Sequence, residues 1–63
     1  MDAEAFNNAL RKFLREVGVT SQQEVEKIVA AGQVNGPVLR LKMTLTSPDA
    51  PLEHVVEREI ELG

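Results

Sequence analysis

His54 is the only histidine in the sequence, so it is the side chain best suited to exchange a proton near neutral pH. Acid–base catalysis would require a nucleophile or a second acid–base group beside it in a pocket. The hydroxyl-bearing residues, none of which stands in a recognisable nucleophile motif, are Thr20, Ser21, Thr44, Thr46 and Ser47. No glycine-rich phosphate loop is present. The sequence therefore predicts no catalytic residue and no enzymatic activity.

A basic patch formed by Arg11, Lys12 and Arg15 is the candidate binding site for an anionic partner. The same three charges have an ordinary structural explanation, because cations near the C-terminal end of a helix interact favourably with its dipole. Glu16 also lies close enough in sequence to balance them. The solvated-surface interpretation is favoured over the binding interpretation.

A row of carboxylates at Glu57, Glu59 and Glu61 could hold a divalent cation or a basic partner. If the C-terminal half of the chain forms a hairpin, Lys42 and Arg40 lie across from two of these glutamates and account for them. The chain has no cysteine and a single histidine, so thiolate and histidine-based metal sites are not expected. No metal and no cofactor is predicted.

Length and composition restrict the remaining possibilities. A chain of 63 residues forms one domain at most, and a domain of this size buries only about 60% of the surface of its unfolded chain. Without disulfides, association with a partner is the simplest additional source of stability. The net charge of −3 provides no general attraction to nucleic acid. Neither a signal peptide nor a membrane span is expected, and we expect a cytoplasmic protein.

The N-terminal third predicts an amphipathic helix over residues 2–17. Its apolar residues recur at helical spacing, and they are Phe6, Leu10, Phe13, Leu14 and Val17. Acidic residues come first and basic residues last, which suits the helix dipole. Gly18 follows at the position where a left-handed C-terminal cap is favoured. The sequence therefore predicts that this helix ends at Gly18.

A second helix is predicted to begin at Thr20 or Ser21, since a glutamine or glutamate follows each by three residues and would complete a capping box. Its shorter apolar stripe consists of Val25, Ile28 and Val29. Gly32 is the predicted stop, and the turn-forming sequence from Asn35 to Pro37 follows it. The two predicted helices would form a helical hairpin.

From residue 38 the apolar period changes to two, which predicts strands. The segment 47–51, SPDAP, breaks the pattern, and a second alternating run follows over residues 52–62. Placing Ser47 opposite Leu52 aligns unlike charges and apolar residues at the same time. The aligned pairs are Lys42 with Glu57, Arg40 with Glu59, Leu39 with Ile60, Met43 with Val56, and Leu45 with His54.

Arg58 falls in the row that otherwise carries apolar side chains. A β-bulge near it is the favoured explanation, and a rim position with a snorkelling side chain is the alternative. The predicted fold class is α+β, with a helical hairpin packed on an antiparallel β-hairpin in the order α-α-β-β. Residues 1–63 are expected to form a single small domain.

The segments "AFNNALRKFLREVGVTSQQEVEK" and "LEHVVEREIEL" resemble a small family of bacterial proteins of unknown function and of about this length. The resemblance spans nearly the whole chain, and "VGVTSQQE" is its most specific part. In that family the connection from helix to strand tends to be longer, and a glycine often stands at the position of Arg58. The resemblance implies a small bacterial cytoplasmic protein and supplies no activity or site.

Two functions remain from different classes. The first is a non-enzymatic protein interaction or assembly module, whose partner is an unidentified protein or a second copy of the chain. The alternative is a small winged-helix-like nucleic-acid-binding protein that uses the basic patch and the second helix. Glu24 and Glu26 on that helix would repel phosphates, so nucleic acid is the disfavoured partner.

Overall fold

A computed structural model describes all residues from 1 to 63 and contains one helix and two strands. They are α1 (Ala3–Ala30), β1 (Val38–Thr46) and β2 (Glu53–Glu61). The predicted α+β class is confirmed. The predicted helical hairpin is wrong, because one continuous helix of 28 residues occupies the region assigned to two.

The two ends of α1 are closed by recognisable caps. At the N-terminus the Asp2 carboxylate accepts hydrogen bonds from the N–H groups of Glu4 and Ala5, at 3.0 and 3.1 Å. At the C-terminus Gly32 has a φ of 68°, and its N–H donates to the Val29 carbonyl at 3.0 Å. The Gln33 N–H donates to the Ile28 carbonyl at 3.2 Å, which completes a Schellman motif. The predicted stop at Gly32 is confirmed.

The predicted break at Gly18 is wrong. Gly18 is helical, since positive φ angles occur only at Gly32 and Gly36. The Thr20 hydroxyl, expected to cap a second helix, instead donates to the Glu16 carbonyl at 2.8 Å, one turn back in the same helix. Glycine inside a helix costs about 1 kcal/mol relative to alanine. A break at Gly18 would cost more than this, because it would leave carbonyls and N–H groups on both sides without intrahelical hydrogen-bond partners.

β1 and β2 form a two-stranded antiparallel sheet with the predicted register. Thr46 pairs with Glu53 at the turn and Val38 with Glu61 at the open end. The Leu62 N–H extends the ladder with a bond to the Pro37 carbonyl at 2.8 Å. Within the turn, the Ser47 hydroxyl accepts a hydrogen bond from the Asp49 N–H at 3.1 Å.

The predicted bulge near Arg58 is also wrong. All nine residues of each strand pair one to one, and Arg58 lies directly opposite Leu41. Its guanidinium donates to the neighbouring Glu57 carbonyl at 2.6 Å. The long side chain therefore gives its guanidinium a hydrogen-bond acceptor while Arg58 stays exposed within an apolar row. No bulged residue is needed to turn the side chain outward.

The chain divides into two compact units, Met1–Gln33 with α1 and Val34–Gly63 with the hairpin. No residue of either unit is buried. A lone helix and a two-stranded sheet are each a single layer, and a hydrophobic core requires two. Although α1 is long, it lacks a stretch apolar enough to cross a membrane.

Candidate interaction surfaces

An apolar surface runs along one side of α1. When successive residues are placed about 100° apart, seven apolar residues and Ser21 lie within an arc of about 120°, and the same arc also holds Ala3, Asn7 and Glu24. We call this surface the helical stripe, and it consists of Phe6, Leu10, Phe13, Leu14, Val17, Ser21, Val25 and Ile28. The two phenylalanines are 53% and 49% exposed, so α1 does not cover the stripe by itself.

The stripe follows an 11-residue repeat. Phe6, Val17 and Ile28 are each separated by 11 residues, and Leu14 and Val25 repeat the same interval. Eleven residues make three turns at about 3.67 residues per turn, close to the natural period of the helix. The stripe therefore stays on one side of α1 from its first turn to its last.

The hairpin carries a second apolar surface on one side of the sheet. Cross-strand pairs place alternate residues of both strands on this side. We call it the hairpin face, and it consists of Leu39, Leu41, Met43, Leu45, His54, Val56, Arg58 and Ile60. Met43 is 46% and Ile60 43% exposed. The hairpin thus also presents an apolar side that its own two strands do not cover.

The basic patch lies on α1, turned about 100–160° away from the centre of the helical stripe. Arg11, Lys12 and Arg15 are all exposed, and none of them forms an ion pair within 4 Å. The patch is therefore a solvated surface, available to an anionic partner, on a different side of the helix from the stripe.

His54 lies on the hairpin face opposite Leu45, as the register predicts. Thr44 and Thr46 alternate with Leu45 and so occupy the other side of the sheet. Thr20 and Ser21 belong to α1, and the Ser47 hydroxyl is engaged by the Asp49 N–H. Within the hairpin, the immediate neighbour of the imidazole across the sheet is an aliphatic side chain.

Two glutamates in the carboxylate row of β2 lie opposite the basic residues of β1 that the sequence predicted. Glu57 lies opposite Lys42, and Glu59 opposite Arg40, with 3.8 Å between Arg40 Nε and Glu59 Oε1. Both side chains of this ion pair are largely exposed, so it contributes little to stability. No three His, Cys, Asp or Glu side chains lie close enough together to hold a metal ion.

The continuity of the helical stripe across Gly18 is the feature that the sequence interpretation missed. It assigned the apolar residues before Gly18 and those after it to two separate helices. Ser21, interpreted as a cap, lies within the stripe at the same angular position as its apolar neighbours. The continuity can be recognised in the sequence because the helical spacing of Phe6, Leu10 and Val17 continues without a shift through Ser21 to Val25.

Comparison with known proteins places the chain in a family. The sequence profile of a family of unknown function (DUF6494) matches residues 1–63, so the chain belongs to that family. No curated protein and no solved structure matches the chain.

Proposed function

We propose that this member of the DUF6494 family is a non-enzymatic protein-interaction module of the bacterial cytoplasm. The observation that carries the proposal is the helical stripe, an exposed apolar surface that extends over almost the whole of α1. Burying apolar surface is worth about 25 cal/mol per Å². A surface of this kind is expected on a helix whose partner is a protein.

The identity of the side chains supports a protein partner. Apart from Ser21, the stripe is built from phenylalanine, leucine, valine and isoleucine, mostly at intervals of three and four residues, the pattern by which amphipathic helices dock against proteins. The flanking and opposite sides of α1 carry its arginines and lysines. The partner therefore contacts an apolar centre with a charged margin.

The winged-helix alternative receives no support from the geometry. Its essential element is a turn between two helices, and residues 18–21 are continuous helix. The segment that would act as the recognition helix carries Glu24 and Glu26. The basic patch is left as a site for an acidic protein surface rather than for a nucleic acid.

Capture of proteins by tagged variants from the native host tests the proposal. Leu10→Glu introduces a charge at the centre of the stripe, and Asn8→Glu introduces the same charge on the opposite side of α1. Both substitutions introduce glutamate, which is compatible with a helix, so neither should disrupt α1. The wild-type protein and the Asn8→Glu variant are expected to recover the same proteins, including a differently tagged copy of the chain. The Leu10→Glu variant is expected to recover at least about tenfold less.

The capture is repeated with nuclease and at two salt concentrations. Recovery through an apolar surface should survive nuclease and depend weakly on salt. Recovery that disappears with nuclease, or falls steeply with salt, would support nucleic-acid binding and overturn the proposal. Equal recovery by all three proteins would show that the stripe is not the contact surface.

A further inference from the structure

We infer that Asn35 is a site of spontaneous covalent modification, at which the side-chain amide becomes a carboxylate through a cyclic imide formed with the backbone nitrogen of Gly36. The inference is independent of the proposed function, because it concerns the segment between α1 and β1 and requires no protein partner. Three properties of this segment support it: the types of the two residues, the lack of hydrogen bonds on the reacting groups, and the backbone conformation of Gly36.

The reaction requires only these two residues and water. The Gly36 backbone nitrogen loses its proton and attacks Cγ of Asn35, which closes a five-membered ring and breaks the bond between Cγ and Nδ2. The amide nitrogen takes up the proton and leaves as ammonia. Water then opens the ring at one of its two carbonyls. Opening at Cγ gives aspartate, and opening at the backbone carbonyl gives isoaspartate, in which the main chain runs through the side chain.

The types of the two residues suit this ring closure. An asparagine side chain has the length that closes a five-membered ring on the next backbone nitrogen, and a glycine at the next position has no Cβ to obstruct the approach. The chain contains three asparagines, Asn7, Asn8 and Asn35, and only Asn35 precedes a glycine. The sequence therefore distinguishes one asparagine from the other two.

The reacting groups are not held by hydrogen bonds. The Gln33 N–H makes the last hydrogen bond of the helix cap, and the Pro37 carbonyl accepts the first hydrogen bond of the ladder. Between them, neither Asn35 nor Gly36 takes part in a hydrogen bond. Asn35 is also exposed, so its side chain can rotate toward the next residue. The attacking nitrogen and the amide are thus both free to react.

The backbone at Gly36 is open to the approach. Its φ is 104°, a conformation that glycine adopts at low cost, and a Cβ added there would meet nothing within 4 Å. The nitrogens that follow Asn7 and Asn8 lie instead inside α1, where each N–H is donated to the carbonyl four residues earlier. The structure therefore leaves Asn35 reactive and protects the other two asparagines.

The product differs from the original chain in charge and in connectivity. Either form adds one negative charge to the net charge of −3, and isoaspartate also adds one atom to the main chain. The hydrogen bonds that close α1 and the ladder are made by other residues, so both folded units should persist in the modified chain. Because the ammonia is lost to solvent, the modified fraction should increase with the age of the molecule.

Mass spectrometry of the folded chain, incubated at neutral and at mildly alkaline pH, tests the inference. A mass gain of about 1 Da located at Asn35 is expected. The gain should form faster at the higher pH, because the attacking nitrogen must lose its proton. Methyl transfer from S-adenosylmethionine by a protein isoaspartate methyltransferase measures the isoaspartate form. Asn35→Gln and Gly36→Ala should each slow the reaction at least about tenfold.

Ala9→Gly is the matched control, because Asn8 is then also followed by a glycine but lies inside α1. In the folded variant Asn8 should react at least about tenfold more slowly than Asn35 of the same molecule. In concentrated urea the two asparagines should react at similar rates, since neither is then protected by structure. Circular dichroism of the variant verifies that α1 is retained.

Two results would overturn the inference. One is a folded wild-type chain in which Asn35 reacts at least about tenfold more slowly than in urea, because the fold would then protect the site. The other is a mass gain at Asn7 or Asn8 that precedes any gain at Asn35. Neither result affects the proposed function, which depends on Leu10 and is measured by capture.

Discussion

The helix and the hairpin of this protein are specified in different ways. α1 satisfies its backbone hydrogen bonds internally, and its ends are closed by Asp2 and by the Schellman motif at Gly32. The hairpin depends on pairing between residues far apart in sequence, and each strand keeps one edge unpaired. α1 therefore tolerates a locally unfavourable residue such as Gly18. The hairpin, by contrast, depends on the register of its two strands.

The two regions share one property. Each is a single layer with one apolar side, and neither contains a buried residue. The conformational entropy lost on folding must be offset by apolar burial, which a single layer provides poorly. Stability is therefore expected to depend more on what covers these surfaces than on contacts inside each unit.

The largest predicted effect tests the continuity of α1. Gln22→Pro should lower the free energy of unfolding by about 3 kcal/mol, because the ring removes a helical N–H and clashes with the Gly18 carbonyl one turn back. Circular dichroism during urea unfolding, at fixed protein concentration, measures the change. Gln22→Ala is the control and should stay within about 0.5 kcal/mol of wild type.

The same substitution would have little effect on two separate helices. Proline is favoured at the first position of a helix, where its missing N–H has no intrahelical partner. If Ser21 were an N-terminal cap, residue 22 would occupy that position. An unchanged unfolding curve for Gln22→Pro would therefore restore the helical hairpin.

Smaller effects, opposite in sign to each other, are expected from alanine substitutions at two glycines of the same unit. Gly18→Ala should raise the free energy of unfolding by about 0.8–1 kcal/mol, since the added Cβ meets nothing within 4 Å. Gly32→Ala should lower it by about 1–2 kcal/mol, because φ is 68° there. Urea unfolding of both variants provides the comparison. Destabilisation by Gly18→Ala would indicate a left-handed residue at position 18.

The smallest effect belongs to the hairpin. Arg40→Glu places two carboxylates across from each other and should cost no more than about 0.5 kcal/mol, because the ion pair with Glu59 is largely exposed. The double variant Arg40→Glu with Glu59→Arg should recover most of that loss. A double-mutant cycle from urea unfolding measures the coupling. A coupling well above about 1 kcal/mol would show that the pair is shielded from water.

The hairpin could be predicted from the sequence because independent signals agree. Arg40 opposite Glu59 and Leu39 opposite Ile60 require the same register, and a shift by one residue would move every side chain to the other side. Arg58 was harder to interpret. Its guanidinium reaches the Glu57 carbonyl, and that solution leaves no trace in the pattern of residue types.

The helix could be predicted only in part. Its two outer ends are confirmed, because Asp2 and Gly32 satisfy end groups of the helix. The internal break was wrong because Gly18, Thr20 and Ser21 have the residue types of a cap, and local composition does not reveal that the helix continues. The full stripe could not be recognised from either half alone, since each half carries an ordinary amphipathic pattern.

The 11-residue repeat of α1 restricts how chain length can vary among relatives. One residue inserted between Val17 and Ser21 would rotate everything after it by about 100° and split the stripe between two sides of the helix. Insertions and deletions should therefore be excluded from α1, except in units that preserve the repeat. They should collect between Ala31 and Pro37 and in the hairpin turn, where an added residue displaces no side chain from the stripe or the ladder. Relatives of unequal length should thus have helices that are equal in length or that differ by whole repeats.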